Sequence, residues 1–148
     1  MAPAADKKRT LGKVPIERDL LTSKAWLTLP PGIAPQIYLL FRAKMRMEKI
    51  NRKGGKWVCV NNGELVFPYR AAEKLGITGP RFQRAIDSLV EHGLLDIAEP
   101  GNATARECTK YAVSERWREF GRPNFEHRER SKERKGGSIN PFGRNRDA

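Results

Sequence analysis

A chain of 148 residues is the size of one domain, on a prior of roughly 100–200 residues per domain. Its 29 Lys and Arg against 17 Asp and Glu give a net charge of +12 at pH 7, which suits a polyanionic partner because neutralised phosphates release counterions. No apolar run approaches the ~18 residues of a membrane span and no basic amphipathic helix of the interfacial kind is present, so membrane roles are set aside. MAPAADKKRT has no signal-peptide apolar core, and a cytoplasmic location is expected.

Residues 1–22 mix Ala, Pro and charge without helical or strand periodicity. They are expected to be a disordered basic arm whose Lys7, Lys8, Arg9 and Lys13 contact phosphates, or else a functionless tail. The folded domain is expected over 23–121. Ser23 is a candidate cap for a short turn, with Trp26, Leu27 and Leu29 joining the core, and Pro30-Pro31-Gly32 breaks the chain. A helix over about Ala34 to Met47 places Ile37, Tyr38, Leu40, Phe41 and Met45 on one side. Its outward residues and the following turn are basic. Arg42, Lys44, Arg46, Lys49, Arg52, Lys53 and Lys56 are opposed between them only by Glu48, which marks either a solvated face or a phosphate-facing flank.

NRKGGKWVCVNNGELVF has the look of a β-hairpin. Trp57–Val60 and Glu64–Phe67 are the expected strands, joined through Asn61-Asn62-Gly63, residues that tolerate positive φ. Trp57 is assigned to packing rather than to base stacking. PYRAAEKLG then predicts a helix started at Pro68 and stopped at Gly76, with Ala71, Ala72 and Leu75 as its small apolar face. Ile77 plugs the corner, and Thr78 is a candidate N-cap for a helix running to His92 with Pro80 in its first turn. Phe82, Ala85, Ile86, Leu89 and Val90 form one apolar stripe in that helix. Arg81, Gln83, Arg84, Asp87 and Ser88 face away. His92, in the last turn, suits the negative end of the helix dipole.

Gly93 ends the helix, and Leu94–Ala98 is an expected strand. The loop EPGNATAR leads to a returning strand over Glu107–Val113, marked by the alternation of Thr109, Tyr111 and Val113. SERWREF predicts a helix that docks Trp117 and Phe120 and ends at Gly121. Residues 122–148 are a basic C-terminal tail, partly helical through Glu–Lys/Arg pairs or disordered. Cys59 and Cys108 have no metal-like spacing and are expected reduced and buried, although a disulfide between them stays open.

Ala72, Leu75, Gly76, Ile77, Phe82 and Ala85 resemble the helix-turn-helix pattern, in which a small residue, a Gly turn and apolar pins hold the second helix on the first. A helical hairpin that binds nothing is the structural alternative. The order helix, turn, helix and hairpin over about Leu29 to Phe120 resembles the winged helix-turn-helix family, and EHGLLDIAEPG looks like the passage from recognition helix to wing. ELVFPYRAAEKLGIT, LLDIAEPG and KYAVSERWREFG are similar to small winged-helix proteins of bacterial plasmids, phages and integrated elements. The resemblance implies an α+β winged helix-turn-helix with an extra β-hairpin and flexible basic termini.

It also implies a sequence-specific double-stranded DNA-binding protein, either a transcriptional regulator or an accessory protein of replication or of a mobile element. Helix 78–92 would read the major groove through Arg81, Gln83, Arg84 and Ser88. Tyr69, Arg70, Lys74, Thr78 and Gly79 would hold backbone phosphate, as would the wing 99–106 through Asn102, Thr104 and Arg106. A homodimer or tandem copies would supply the remaining affinity. The alternative is a winged-helix protein-interaction module, or an RNA-binding protein using its basic surface. No phosphate loop, paired-His metal helix or nucleophile–base pair is legible. The chain is therefore expected not to be an enzyme, with no cofactor and no metal.

Overall fold

The computed structural model describes residues 12–51, 53–102 and 107–129. In chain order the elements are α1 (Arg18–Leu21), α2 (Lys24–Leu27), α3 (Ala34–Lys44), β1 (Met47–Lys49), β2 (Trp57–Cys59), β3 (Leu65–Val66), α4 (Tyr69–Lys74), α5 (Gly79–Glu91), β4 (Leu95–Glu99), β5 (Lys110–Val113) and a 3-10 helix (Arg116–Glu119). The fold is mixed α+β, with one antiparallel sheet of β1 and β2 and a second in the order β3-β5-β4. The core lies between α3, α5 and that second sheet. Phe41 and Phe67 meet at 5.4 Å between ring centroids, Phe41 and Tyr111 at 5.1 Å, and Phe67 and Phe82 at 5.0 Å.

The folded part begins earlier than its composition suggests. Residues 1–11 lie outside the described residues, but Arg18–Leu21 is a helical turn and Leu20 is fully buried. The stretch up to residue 22 is thus not all arm. It lacks periodicity because one turn needs only one core residue. Ser23 does cap α2, its Oγ accepting from the Trp26 N–H at 3.2 Å. Leu27, expected in the core, is 69% exposed, because a single turn points Ala25 and Trp26 inward instead.

On α3, Ile37, Tyr38 and Phe41 are buried as expected, while Leu40 and Met45 are half-buried against the core. The helix stops at Lys44, before Met47. The side chain of Asn61 supplies the reason: its Nδ2 donates to the Lys44 carbonyl at 2.9 Å and its Oδ1 accepts from the Arg46 N–H at 2.7 Å. Burial pushes the Tyr38 hydroxyl up to about 12, although the Arg42 charge pulls it down.

The expected hairpin is re-paired. β2 runs back along β1, with Met47 opposite Cys59, Glu48 opposite Val58 and Lys49 opposite Trp57. Residues 65–66, expected to pair with 57–60, pair with β5, placing Leu65 opposite Tyr111. Asn61-Asn62-Gly63 is therefore a passage between two sheets, not a hairpin tip. Asn62 makes that passage by behaving as an extra strand residue: its Oδ1 accepts from the Val113 N–H at 2.8 Å and its Nδ2 donates to the Val113 carbonyl at 3.0 Å.

The strand expected over Glu107–Val113 is shortened to Lys110–Val113, with a separate bridge between Asn102 and Glu107. Beyond it, Trp117 is buried in the 3-10 helix. Phe125 is also buried, so the segment expected to start a tail at 122 remains packed through at least Phe125. Residues 130–148, with Ile139 and Phe142, lie outside the described residues. Cys59 is half-buried and Cys108 exposed, both as free thiols, so neither is the buried apolar residue expected.

Candidate nucleic-acid interface

Helices α4 and α5 end in the same way. After α4, Gly76 takes a φ of +78°, its N–H donates to Glu73, and the Ile77 N–H donates to Ala72 at 3.0 Å. After α5, Gly93 also has a φ of +78°, with its N–H on Val90 and the Leu94 N–H on Leu89 at 2.9 Å. This pair of bonds satisfies the last carbonyls of a helix and needs a left-handed residue between them, which glycine supplies without a Cβ clash. Ile77 and Leu94, the residues just past each turn, are both buried. The turn therefore fixes the angle at which α5 leaves α4.

Within this pair Ala72 is buried and Ala71 half-buried, but Leu75 is 57% exposed. α4 is only six residues long, and the chain turns at Leu75 before that position can reach the core. Pro68 stands one residue ahead of the helix, in extended conformation. Thr78 has the backbone of an N-cap, but its side chain makes no capping bond. All five stripe residues of α5, Phe82, Ala85, Ile86, Leu89 and Val90, are buried.

The opposite side of α5 divides in two. Arg81 and Arg84 are exposed, whereas Gln83, Asp87 and Ser88 are half-buried. Gln83 Nε2 donates to the Tyr69 hydroxyl at 2.6 Å, and the Tyr69 ring meets Phe82 edge-on at 5.4 Å. Tyr69 and Gln83 are thus one unit bridging the two helices. Further along, Arg81, Arg84, Asp87 and Ser88 line a shallow groove whose far wall is Pro30, Pro31 and Gly32. Ser88 lies in the C-terminal half of the helix.

Arginines that hold the fold are paired. Arg42, expected in the basic flank, is only 10% exposed: it lies 3.5 Å from Glu17 and donates twice to the Pro15 carbonyl. It anchors the N-terminal segment, and the partner that claims it is remote in sequence. Arg116 and Arg128 both meet Asp96. By contrast, Arg70, Lys74, Arg81 and Arg84 have no ion-pair partner among the described residues. They are all exposed on α4 and α5.

Of the remaining flank, Lys44, Arg46, Lys49, Lys53 and Lys56 are exposed, and Arg52 lies outside the described residues. Lys44 sits over the Phe67 ring at 4.9 Å, beside the start of α4. At the expected wing, Asn102 and Glu107 exchange backbone hydrogen bonds at 3.0 and 2.9 Å. Thr104 and Arg106 lie outside the described residues. His92 caps α5, with Nδ1 2.8 Å from the Ser88 carbonyl and its ring stacked on Phe120 at 4.8 Å. That contact is structural.

Among the described residues no group of three or more His, Cys, Asp or Glu side chains is placed to hold a metal ion. None of the described helices is long and apolar enough to cross a membrane. No protein-family model matches the chain, and no curated protein or solved structure is significantly similar to it.

Proposed function

We propose that this chain is a sequence-specific double-stranded DNA-binding protein of the winged helix-turn-helix kind, with α5 as the helix that enters the major groove. The observation that carries the reading is that Arg70, Lys74, Arg81 and Arg84, all exposed on α4 and α5, have no carboxylate partner among the described residues. A helix about 10–12 Å across fits a B-form major groove about 12 Å wide. The strand order supports the same reading. β3 lies between α3 and α4 in the chain and pairs with β5, which pairs in turn with β4 after α5, the strand order that a wing would need.

In this reading Arg81 and Arg84 address guanine O6 and N7, while Gln83, oriented by Tyr69, addresses a neighbouring adenine. Arg70, Lys74 and the first-turn amides at Gly79 hold phosphates. Ser88 contributes least, because it is half-buried and lies in the C-terminal half of the helix, whereas Arg81 and Arg84 are exposed. The outer face of α5 offers no aromatic or aliphatic anchor, which disfavours a protein partner there. The deep, narrow major groove of duplex RNA would not admit the helix.

The test is selection of bound sequences from a random duplex pool. The reading expects a short consensus that Arg81→Ala and Arg84→Ala each relax at one position. Recovery of an unbiased pool would contradict it.

A further inference from the structure

The β1–β2 hairpin stands outside everything proposed for α5. All of β1 is exposed, and in β2 Trp57 is exposed while Val58 and Cys59 are half-buried. None of these residues belongs to the core. Opposed residues of an antiparallel pair share a face, so Lys49 and Trp57 stand side by side, with Met47 and Cys59 next along the same face. The indole, assigned to packing on sequence grounds, is 55% exposed. Arg46, Lys53 and Lys56 are exposed on the same short ribbon, and its one acid, Glu48, is 3.9 Å from Arg46.

An exposed aromatic surface gains free energy when a partner covers it. The surrounding charge selects that partner: a polyanion for the lysines, with flat apolar faces for the indole. Nucleic acid combines the two, and only unpaired bases present their faces. We infer that the β1–β2 hairpin is a second nucleic-acid site that binds single-stranded DNA, with Lys49, Lys53 and Lys56 along the phosphates and Trp57 stacked on a base. Stacking on an exposed aromatic is tolerant of sequence, so the site takes any strand of suitable length. The inference does not depend on what α5 binds.

The test titrates the full chain with a short oligothymidylate while following tryptophan emission. Trp117 is buried and Trp26 half-buried, so quenching by a base reports chiefly on Trp57. The expected result is saturable quenching that Trp57→Phe abolishes. By anisotropy of the labelled strand, Trp57→Ala weakens binding about tenfold, within the range for loss of one stacked base. Replacing Lys49, Lys53 and Lys56 together by Gln lowers the slope of log affinity against log salt by about 2, at ~0.7 per phosphate contact on a single strand. The double change Arg81→Ala and Arg84→Ala leaves the quenching intact, which separates this site from α5. Unquenched emission, or quenching that survives in Trp57→Phe, would overturn the inference. So would a blue shift of wild-type emission with protein concentration alone, absent in Trp57→Phe, because it would show a second copy covering the hairpin.

Discussion

Gln83 donates from Nε2 to the Tyr69 hydroxyl across 2.6 Å, so the exposed sides of α4 and α5 are joined by a side-chain bond as well as by their packed faces. The bond restricts the amide of Gln83 before any ligand arrives, and restricting a reading side chain in advance lowers the entropy lost on binding. Tyr69→Phe keeps the ring against Phe82 and removes only the acceptor. Folding stability is expected to fall by less than about 1 kcal/mol, since the bond is exposed. The selected DNA consensus should loosen at the one position next to those read by Arg81 and Arg84. An unchanged consensus would show that Gln83 does not read a base.

Arg116 holds the end of the fold together. Its guanidinium meets Asp96 at 2.6 Å and donates to the carbonyls of Val90, Leu95 and Glu126, so one side chain joins the end of α5, β4 and the segment beyond the 3-10 helix. The pair is mostly buried, and removing Arg116 leaves Asp96 with only the longer contact to Arg128 at 3.5 Å and takes the donor from three carbonyls. Arg116→Ala is expected to cost about 3–5 kcal/mol in urea unfolding. Arg116→Lys should recover little of that loss, because an ammonium cannot span the same acceptors in one plane.

The two glycine turns respond differently to a methyl group. A Cβ on Gly76 meets nothing within 4 Å, so Gly76→Ala is expected to cost only the left-handed backbone, about 1 kcal/mol. A Cβ on Gly93 would lie 2.7 Å from the Trp117 nitrogen and 2.8 Å from the Arg116 carbonyl carbon. Gly93→Ala must push the 3-10 helix off α5, and a loss above about 2 kcal/mol is expected. Thermal unfolding of the two variants side by side checks the difference.

Tyr38 gives the fold an alkaline limit. Its hydroxyl ionises near 10 when unfolded and at about 12 when folded, burial being the main cause. The neutral form is thus favoured by folding. Its contribution is complete below pH 10 and is lost as pH rises from there through about 12. The loss is on the order of 2 kcal/mol by linkage. Tyr38→Phe should flatten this part of the stability curve against pH. A curve of unchanged shape would contradict the assignment.

What could be read in advance depended on whether a residue's partner was local. The stripe on α5 and the Gly76–Ile77 corner follow from spacing within about ten residues, and they appear as expected. The β1–β2 pairing did not, because β1 is exposed throughout, β2 is at most half-buried, and neither carries an apolar alternation. Their register depends on Asn61, whose side chain reaches back to Lys44 and Arg46. Arg42 looked like one more surface cation until Glu17 and Pro15 came back across the chain to meet it. Leu27 and Leu75 misled for a simpler reason. In one-turn and two-turn helices the last apolar residue falls where the chain already turns away.

The most direct test of the central proposal is fluorescence anisotropy with duplex DNA at two salt concentrations, comparing the intact chain with Arg84→Ala. Duplex binding should weaken steeply as salt rises, and the variant should lose about tenfold in affinity, the value of a good base contact. Equal binding by both proteins, or no preference for duplex DNA over duplex RNA, would contradict a groove-reading role for α5.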